Sequence, residues 1–224
     1  MERIAVLLVD DHAVVREGYR RLLERDRNVA VVGEAASGAQ AYRLFCELNP
    51  TVVVMDVSLP DVSGIEALRR IRARDSRARV LMFSMHEETI FPTRALQAGA
   101  QGYVTKSSAP DVLVEAVHAI ASGKHYISHD VAQLLAVENV TRQKDALQSL
   151  SAREFEIMRL LAAGETISAI SEKLGLGYKT IANYQSAIRN KLKIETAAQL
   201  VALATRNGII RIPQSIDSFE VPGA

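Results

Sequence analysis

Five short, nearly uninterrupted apolar runs punctuate the first half of the chain: IAVLLV (4–9), VAVVG (29–33), TVVVM (51–55), RVLMFS (79–84) and GYVT (102–105). Each is followed by a segment with apolar residues at helical spacing. Runs without apolar/polar alternation mark strands buried on both faces, which is the condition of a parallel sheet covered by its crossover helices. Strand and helix alternating five times therefore predict a doubly wound α/β unit. One irregularity is expected in the fourth helical segment, EETIFPTRALQAG. Pro92 is tolerated only in a first turn, so that helix should begin near Phe91.

The strand pattern ends near residue 122. The predicted organisation is an α/β domain over 1–122, an interdomain linker over 123–147 with a short helix near 129–137, a helical domain over 148–211, and a C-terminal tail over 212–224. The helical domain opens on Ser151 and Glu154 at capping-box spacing and contains two amphipathic segments separated by GLG (175–177). The whole chain carries a formal charge of +1, but residues 148–211 alone carry +4, an asymmetry that suits a polyanionic partner. The single cysteine, Cys46, excludes an intramolecular disulfide and a cysteine-based metal site. The opening MERIAVLLVDDH has the form of neither a secretory signal nor a transit sequence, and no apolar stretch is long enough for a transmembrane helix. A cytoplasmic protein without membrane contact is expected.

Carboxylates sit at the ends of strands. Asp10 and Asp11 follow the first strand and Asp56 follows the third, and in the flavodoxin-like strand order 2-1-3-4-5 these ends flank the topological switch point where ligands bind. Gathered carboxylates repel unless a cation intervenes, and hard oxygen donors beside a phosphate suit Mg²⁺. Ser84 ends the fourth strand and Lys106 follows the fifth, supplying a hydroxyl and an ammonium for phosphoryl oxygens. Taken alone, each residue has a plainer role: an aspartate cap, a surface serine, a solvated lysine.

Together they resemble the receiver domain of response regulators, over about residues 2–122. The resemblance implies a five-stranded parallel sheet with Asp56 as phospho-acceptor. It implies Mg²⁺ held by Asp10, Asp11, Asp56 and the backbone carbonyl of Ser58, a phosphoryl group bound by Ser84 and Lys106, and Tyr103 as the switch aromatic. Ser58 and His86, each two positions beyond a site residue, fall where that family modulates dephosphorylation. It also implies a sensor histidine kinase as partner and an output face on the fourth helix, fifth strand and fifth helix.

The helical domain, LSAREFEIMRLLAAGETISAISEKLGLGYKTIANYQSAIRNKL, is similar to LuxR-type helix-turn-helix domains, and the pairing resembles the NarL/FixJ subfamily. The recognition helix is expected near 178–193, lying in a DNA major groove. Lys179 and Thr180 suit phosphate contacts. Asn183, Gln185 and Ser186 are expected to reach base edges, Tyr184 is expected among the DNA-binding residues, and Arg189, Lys191 and Lys193 divide between phosphate and solvent. Gly177 stands where the family often has Ser, which weakens the helix cap, and Ala182 stands where a polar residue is frequent.

The expected function is a DNA-binding transcription regulator, dimeric on double-stranded DNA, controlled by phosphorylation of Asp56; it is not a turnover enzyme. An Asp-nucleophile phosphotransferase of haloacid-dehalogenase type needs a second Asp two residues on, where this chain has Ser58. The alternative is a phosphorylation-controlled interaction module whose helix-turn-helix does not bind DNA.

Overall fold

The computed structural model describes residues 3–141 and 146–210. The expected tail at 212–224, and residues 142–145 of the expected linker, lie outside the described residues. The N-terminal unit runs β1 (Ile4–Val9), α1 (Ala13–Glu24), β2 (Val29–Ala35), α2 (Gly38–Leu48), β3 (Val52–Met55), α3 (Gly64–Arg74), β4 (Val80–Ser84), α4 (Ile90–Gln97), β5 (Gly102–Thr105), α5 (Pro110–Ala121), β6 (Tyr126–Ile127) and α6 (His129–Thr141). The C-terminal unit begins with a short 3₁₀ helix, Ala146–Ser149. It continues as α7 (Ala152–Ala162), α8 (Ile167–Leu174), α9 (Tyr178–Leu192) and α10 (Ala197–Arg206).

All strand pairs are parallel, in the order β2-β1-β3-β4-β5-β6. The expected count of five is thus one strand short. β6 has two residues and its apolar signal is too brief to register in sequence, yet it pairs Gly102 with Tyr126 and Tyr103 with Ile127. Gly102 permits this pairing, since a Cβ there would fall 2.4 Å from the Tyr126 carbonyl oxygen. Continuously apolar β1, β3, β4 and β5 are buried on both sides, with helices on each face.

Helix boundaries follow local chemistry. Ser37, Ser63, Ser151, Thr166 and Thr196 each cap the helix they precede by accepting a backbone N–H, and Ser151 with Glu154 completes a capping box. Pro92 falls at the third residue of α4, inside the first turn, where its missing N–H has no intrahelical partner to lose. Gly175 ends α8 in the left-handed region at φ 64°, and the next helix starts three residues later.

The two units share one apolar cluster. Ile90 and Phe91 of α4 join Phe155, Ile157 and Met158 of α7 in a common core. Polar groups seal its border. Glu156 of α7, 3% exposed, accepts from the Ser63 backbone N–H at 3.1 Å and the Ser63 hydroxyl at 2.5 Å. Arg153 of α7 pairs with Glu66 of α3 at 3.1 Å. Arg94 of α4 donates to the carbonyls of Leu147 and Leu150 at 2.5 and 3.1 Å. α7 is therefore docked between the start of α3 and α4.

Candidate functional site

β1 and β3 are adjacent, with Val9 opposite Met55, so the residues that follow them emerge side by side at the carboxyl edge of the sheet. Asp10 and Asp56 are both buried there. β5 lies two strands from β3, and the long Lys106 side chain crosses the gap. Its ammonium is 2.5 Å from Asp10 Oδ2 and 2.6 Å from Asp56 Oδ2. Burial works against the charge on Lys106, but Asp56 and Asp10 outweigh it, and the lysine pKa is raised above its ordinary value. The ammonium thereby offsets the repulsion between two carboxylates that share little water.

Asp11 points outward, with 32% of its side chain exposed, and Asp10, Asp11 and His12 present ligand atoms within 4.8 Å of one another. The carboxylates of Asp10, Asp11 and Asp56 are hard oxygen donors at one edge of the sheet, of the chemistry that Mg²⁺ takes, and in this structure the Lys106 ammonium supplies the cation between Asp10 and Asp56. Ser58, the expected carbonyl ligand, lies on the loop leaving Asp56 and donates its backbone N–H to Asp56 Oδ1 at 3.3 Å.

The rim of the site is tied together by His86. Its backbone N–H donates to Ser84 Oγ at 3.3 Å, its carbonyl accepts from the Tyr103 hydroxyl at 2.8 Å, and its Nε2 lies 2.9 Å from Ser58 Oγ. Tyr103 is fully buried, and burial pushes its phenol pKa well up. Asp56, Asp10, Ser58, Ser84, Tyr103 and Lys106 thus converge on one end of the sheet, with Asp11 beside them.

Sequence reasoning missed two supports. A Cβ on Gly64 would come within 1.8 Å of the Asp56 carbonyl oxygen, so the loop carrying the acceptor closes only over a glycine. Asp61 accepts from the backbone N–H groups of Gly38 and Ala39 at 2.8 Å, tying that loop to the start of α2. The sequence VSLPDVSG held a signal for both, in a Gly and an Asp at turn positions.

In the C-terminal unit, α8 and α9 meet through the Gly175 turn, and Ile170, Leu174, Ile181, Ile188 and Leu192 are buried between α7, α8, α9 and α10. Lys179, Thr180, Asn183, Ser186 and Arg189 are exposed along α9, and Gln185 is half-buried. Tyr184 packs partly against the core. Lys191 is pinned, its ammonium 2.7 Å from Glu154 of α7. Gly177 begins α9 without a side-chain cap.

Two families match this division. Residues 6–118 match the response regulator receiver domain, and residues 148–204 match the LuxR family of bacterial regulatory proteins. The response regulator UvrY of Escherichia coli is 40% identical over 209 residues, covering 92% of this chain and 95% of UvrY. The response regulator GacA of Pseudomonas aeruginosa is 39% identical over 92% of this chain and 98% of its own. Among solved structures, RcsB of Salmonella typhimurium superposes with a TM-score of 0.74 at 26% identity, covering 92% of this chain and 99% of RcsB. A LuxR-family response regulator from Aurantimonas is 52% identical over 62% of this chain and 99% of its own, with a TM-score of 0.61. A receiver sheet with its carboxylates at the switch point, followed by a LuxR-type helical domain, makes this chain a response regulator of the NarL/FixJ subfamily.

Proposed function

We propose that a sensor histidine kinase phosphorylates Asp56, and that this controls binding of α9 to double-stranded DNA by a dimer of the chain. The observation that carries the reading is the Lys106 ammonium bridging Asp10 and Asp56 at the switch point. That geometry leaves a carboxylate next to a fixed cation, poised to meet a phosphoryl group. In the transfer, an Asp56 oxygen bonds to phosphorus as the bond to the kinase histidine nitrogen breaks, and the electron pair remains on that nitrogen. Lys106 offsets charge on the equatorial oxygens, and the Ser84 hydroxyl binds one of them. Mg²⁺ held by Asp10, Asp11 and Asp56 would supply further charge neutralisation. Hydrolysis of the acyl phosphate returns the carboxylate.

DNA binding and pairing are supported by the exposed polar face of α9 and by relatives. RcsB of Salmonella enterica serovar Typhimurium has been solved bound to the rprA promoter with phosphomimetic BeF₃⁻, and another RcsB structure holds two dimers on two parallel DNAs. Among the described residues no helix is long and apolar enough to cross a membrane. The test is DNA affinity with and without a small-molecule phosphodonor and Mg²⁺. The donor should change affinity for wild type and leave Asp56→Asn unaffected. Equal responses would remove Asp56 as the switch, and salt-independent or absent DNA binding would favour an interaction module.

A further inference from the structure

A continuous line of side-chain contacts runs from the rim of the acceptor site to the docked helix α7. His86 begins it, with its main chain held by Ser84 and Tyr103 and its Nε2 2.9 Å from Ser58 Oγ. The imidazole stacks on Phe91 of α4, with ring centroids 4.1 Å apart and planes 29° from parallel. Phe91 in turn meets Phe155 of α7 edge-on at 6.4 Å. The Arg94 guanidinium lies 4.0 Å from the centre of the Phe155 ring while it binds the carbonyls of Leu147 and Leu150. His86 is thus the residue that touches both the phosphoryl-binding groups and the aromatic seam between the two domains.

We propose that His86 is a positioning residue that couples the charge state of Asp56 to the docking of α7, through Phe91 and Phe155. The inference rests on Asp56 being the phospho-acceptor. An acyl phosphate places additional negative charge and strong acceptor oxygens at the mouth of the site. Ser58 and Ser84 then have charge-assisted partners that compete with their bonds to His86, and such bonds are stronger than those between neutral groups. The imidazole loses its bond to Ser58, the His86 backbone N–H loses its anchor as the Ser84 hydroxyl turns, and the ring shifts against Phe91. Because the seam is packed as a solid, a shift of the first ring misplaces the second and third. α7 then loses its seat, and the DNA-binding domain is set free to rearrange. The Ser63–Glu156 and Glu66–Arg153 contacts lie off this line, so the aromatic seam is the part of the dock that the acceptor site reaches directly.

The experiment is amide hydrogen exchange of the full chain with and without phosphoramidate and Mg²⁺, with intact mass recording phosphorylation in the same samples. In wild type, phosphorylation should speed exchange of the α7 amides over 152–159 by about tenfold, the order of coupling carried by residues between two sites. His86→Phe keeps a ring on Phe91 and removes the Ser58 bond. Phe91→Leu keeps an apolar filling and removes the stack. Because His86 borders the acceptor site, the response is scaled to the phosphorylated fraction that intact mass gives for each sample, and so scaled the α7 response of both variants should fall to about twofold or less. A structural role alone would raise exchange without the donor and leave the response intact. Phosphorylated His86→Phe with a full wild-type response would overturn the coupling role. Absence of phosphorylation in wild type would instead remove the acceptor on which the proposal stands.

Discussion

The buried carboxylate of Glu156 receives both the backbone N–H and the hydroxyl of Ser63, a residue 93 positions away in the sequence. Ser63 is the cap of α3, and its hydroxyl also accepts from the Glu66 N–H, so an acid from α7 completes the start of α3. A negative charge at a helix N-terminus is favourably placed with respect to the helix dipole. Arg159 balances the same acid at 2.9 Å. The domain dock is therefore a charged cap in an apolar frame.

Glu156→Ala should loosen the dock. It leaves the Ser63 N–H and Arg159 without their shared acceptor at a buried site, which costs about 2 kcal/mol. Hydrogen exchange of α7 amides in the unphosphorylated chain should then rise by roughly 30-fold if opening of the dock controls it. Unchanged exchange would mean that the apolar seam alone holds α7.

The same contact should open in acid. Burial alone would raise the Glu156 pKa, but Arg159 and Ser63 outweigh it, and the pKa is lowered from its ordinary 4.5. A depressed carboxylate contributes its stabilisation in full above the undocked pKa and loses it as pH falls through the docked value. Docking should be pH-independent at neutrality and weaken below 4.5, with Glu156→Gln lacking this component. Small-angle scattering of both proteins from about pH 6 downward would measure the difference.

Lys106→Met should strand two carboxylates. Asp10 and Asp56 lose their shared cation at a buried site, and breaking such a pair costs about 3 kcal/mol. If Asp10, Asp11 and Asp56 hold Mg²⁺, the ion should restore part of that loss by binding the folded state. Thermal melts with and without Mg²⁺ should show a larger rise for the variant than for wild type. No rise in the variant would rule out the proposed ligand set.

The strands and the chemistry at their ends were legible because both are local: an apolar run, a change of character, a carboxylate or lysine. β6 was not, since two residues carry no periodicity. The dock was hidden for a different reason. In AREFEIMRLLA, Glu156 occupies a helix position that reads as solvent-facing, and no nearby residue announces that Ser63 will meet it. The positions of Asp10, Asp56 and Lys106 follow from topology, whereas the bonds they share depend on how far the Lys106 side chain reaches across the sheet edge, which no local pattern encodes.

Gly64→Ala should damage the acceptor loop without touching a charged group. The new methyl would overlap the Asp56 carbonyl oxygen, and backbone rather than a flexible side chain must yield. The Gly64 N–H to Val57 carbonyl bond of 2.8 Å fixes the same turn. A loss of about 2 kcal/mol or more is expected, in the range of overpacked sites. Phosphorylation from a small-molecule donor should also slow, because Asp56 is displaced relative to Lys106. A variant with unaltered stability and rate would show that the loop can relax elsewhere.

Lysines at the two ends of α9 should behave differently in DNA binding. Lys179 is exposed in the first turn, whereas Lys191 is held by Glu154, whose pKa is lowered despite the opposing effect of burial by the Lys191 and Ser151 contacts. A phosphate contact releases counterions, so Lys179→Ala should reduce the slope of log affinity against log salt by about 0.9. Lys191→Ala should leave that slope nearly unchanged while loosening α9 against α7, seen as a lower melting temperature. Asn183→Ala, on the exposed face between them, should instead lower discrimination between DNA sequences by about 1–3 kcal/mol with little change in salt slope. A slope change for Lys191→Ala equal to that for Lys179→Ala would mean that α9 exchanges Glu154 for phosphate on DNA, and that the α7–α9 clamp opens when the groove is filled.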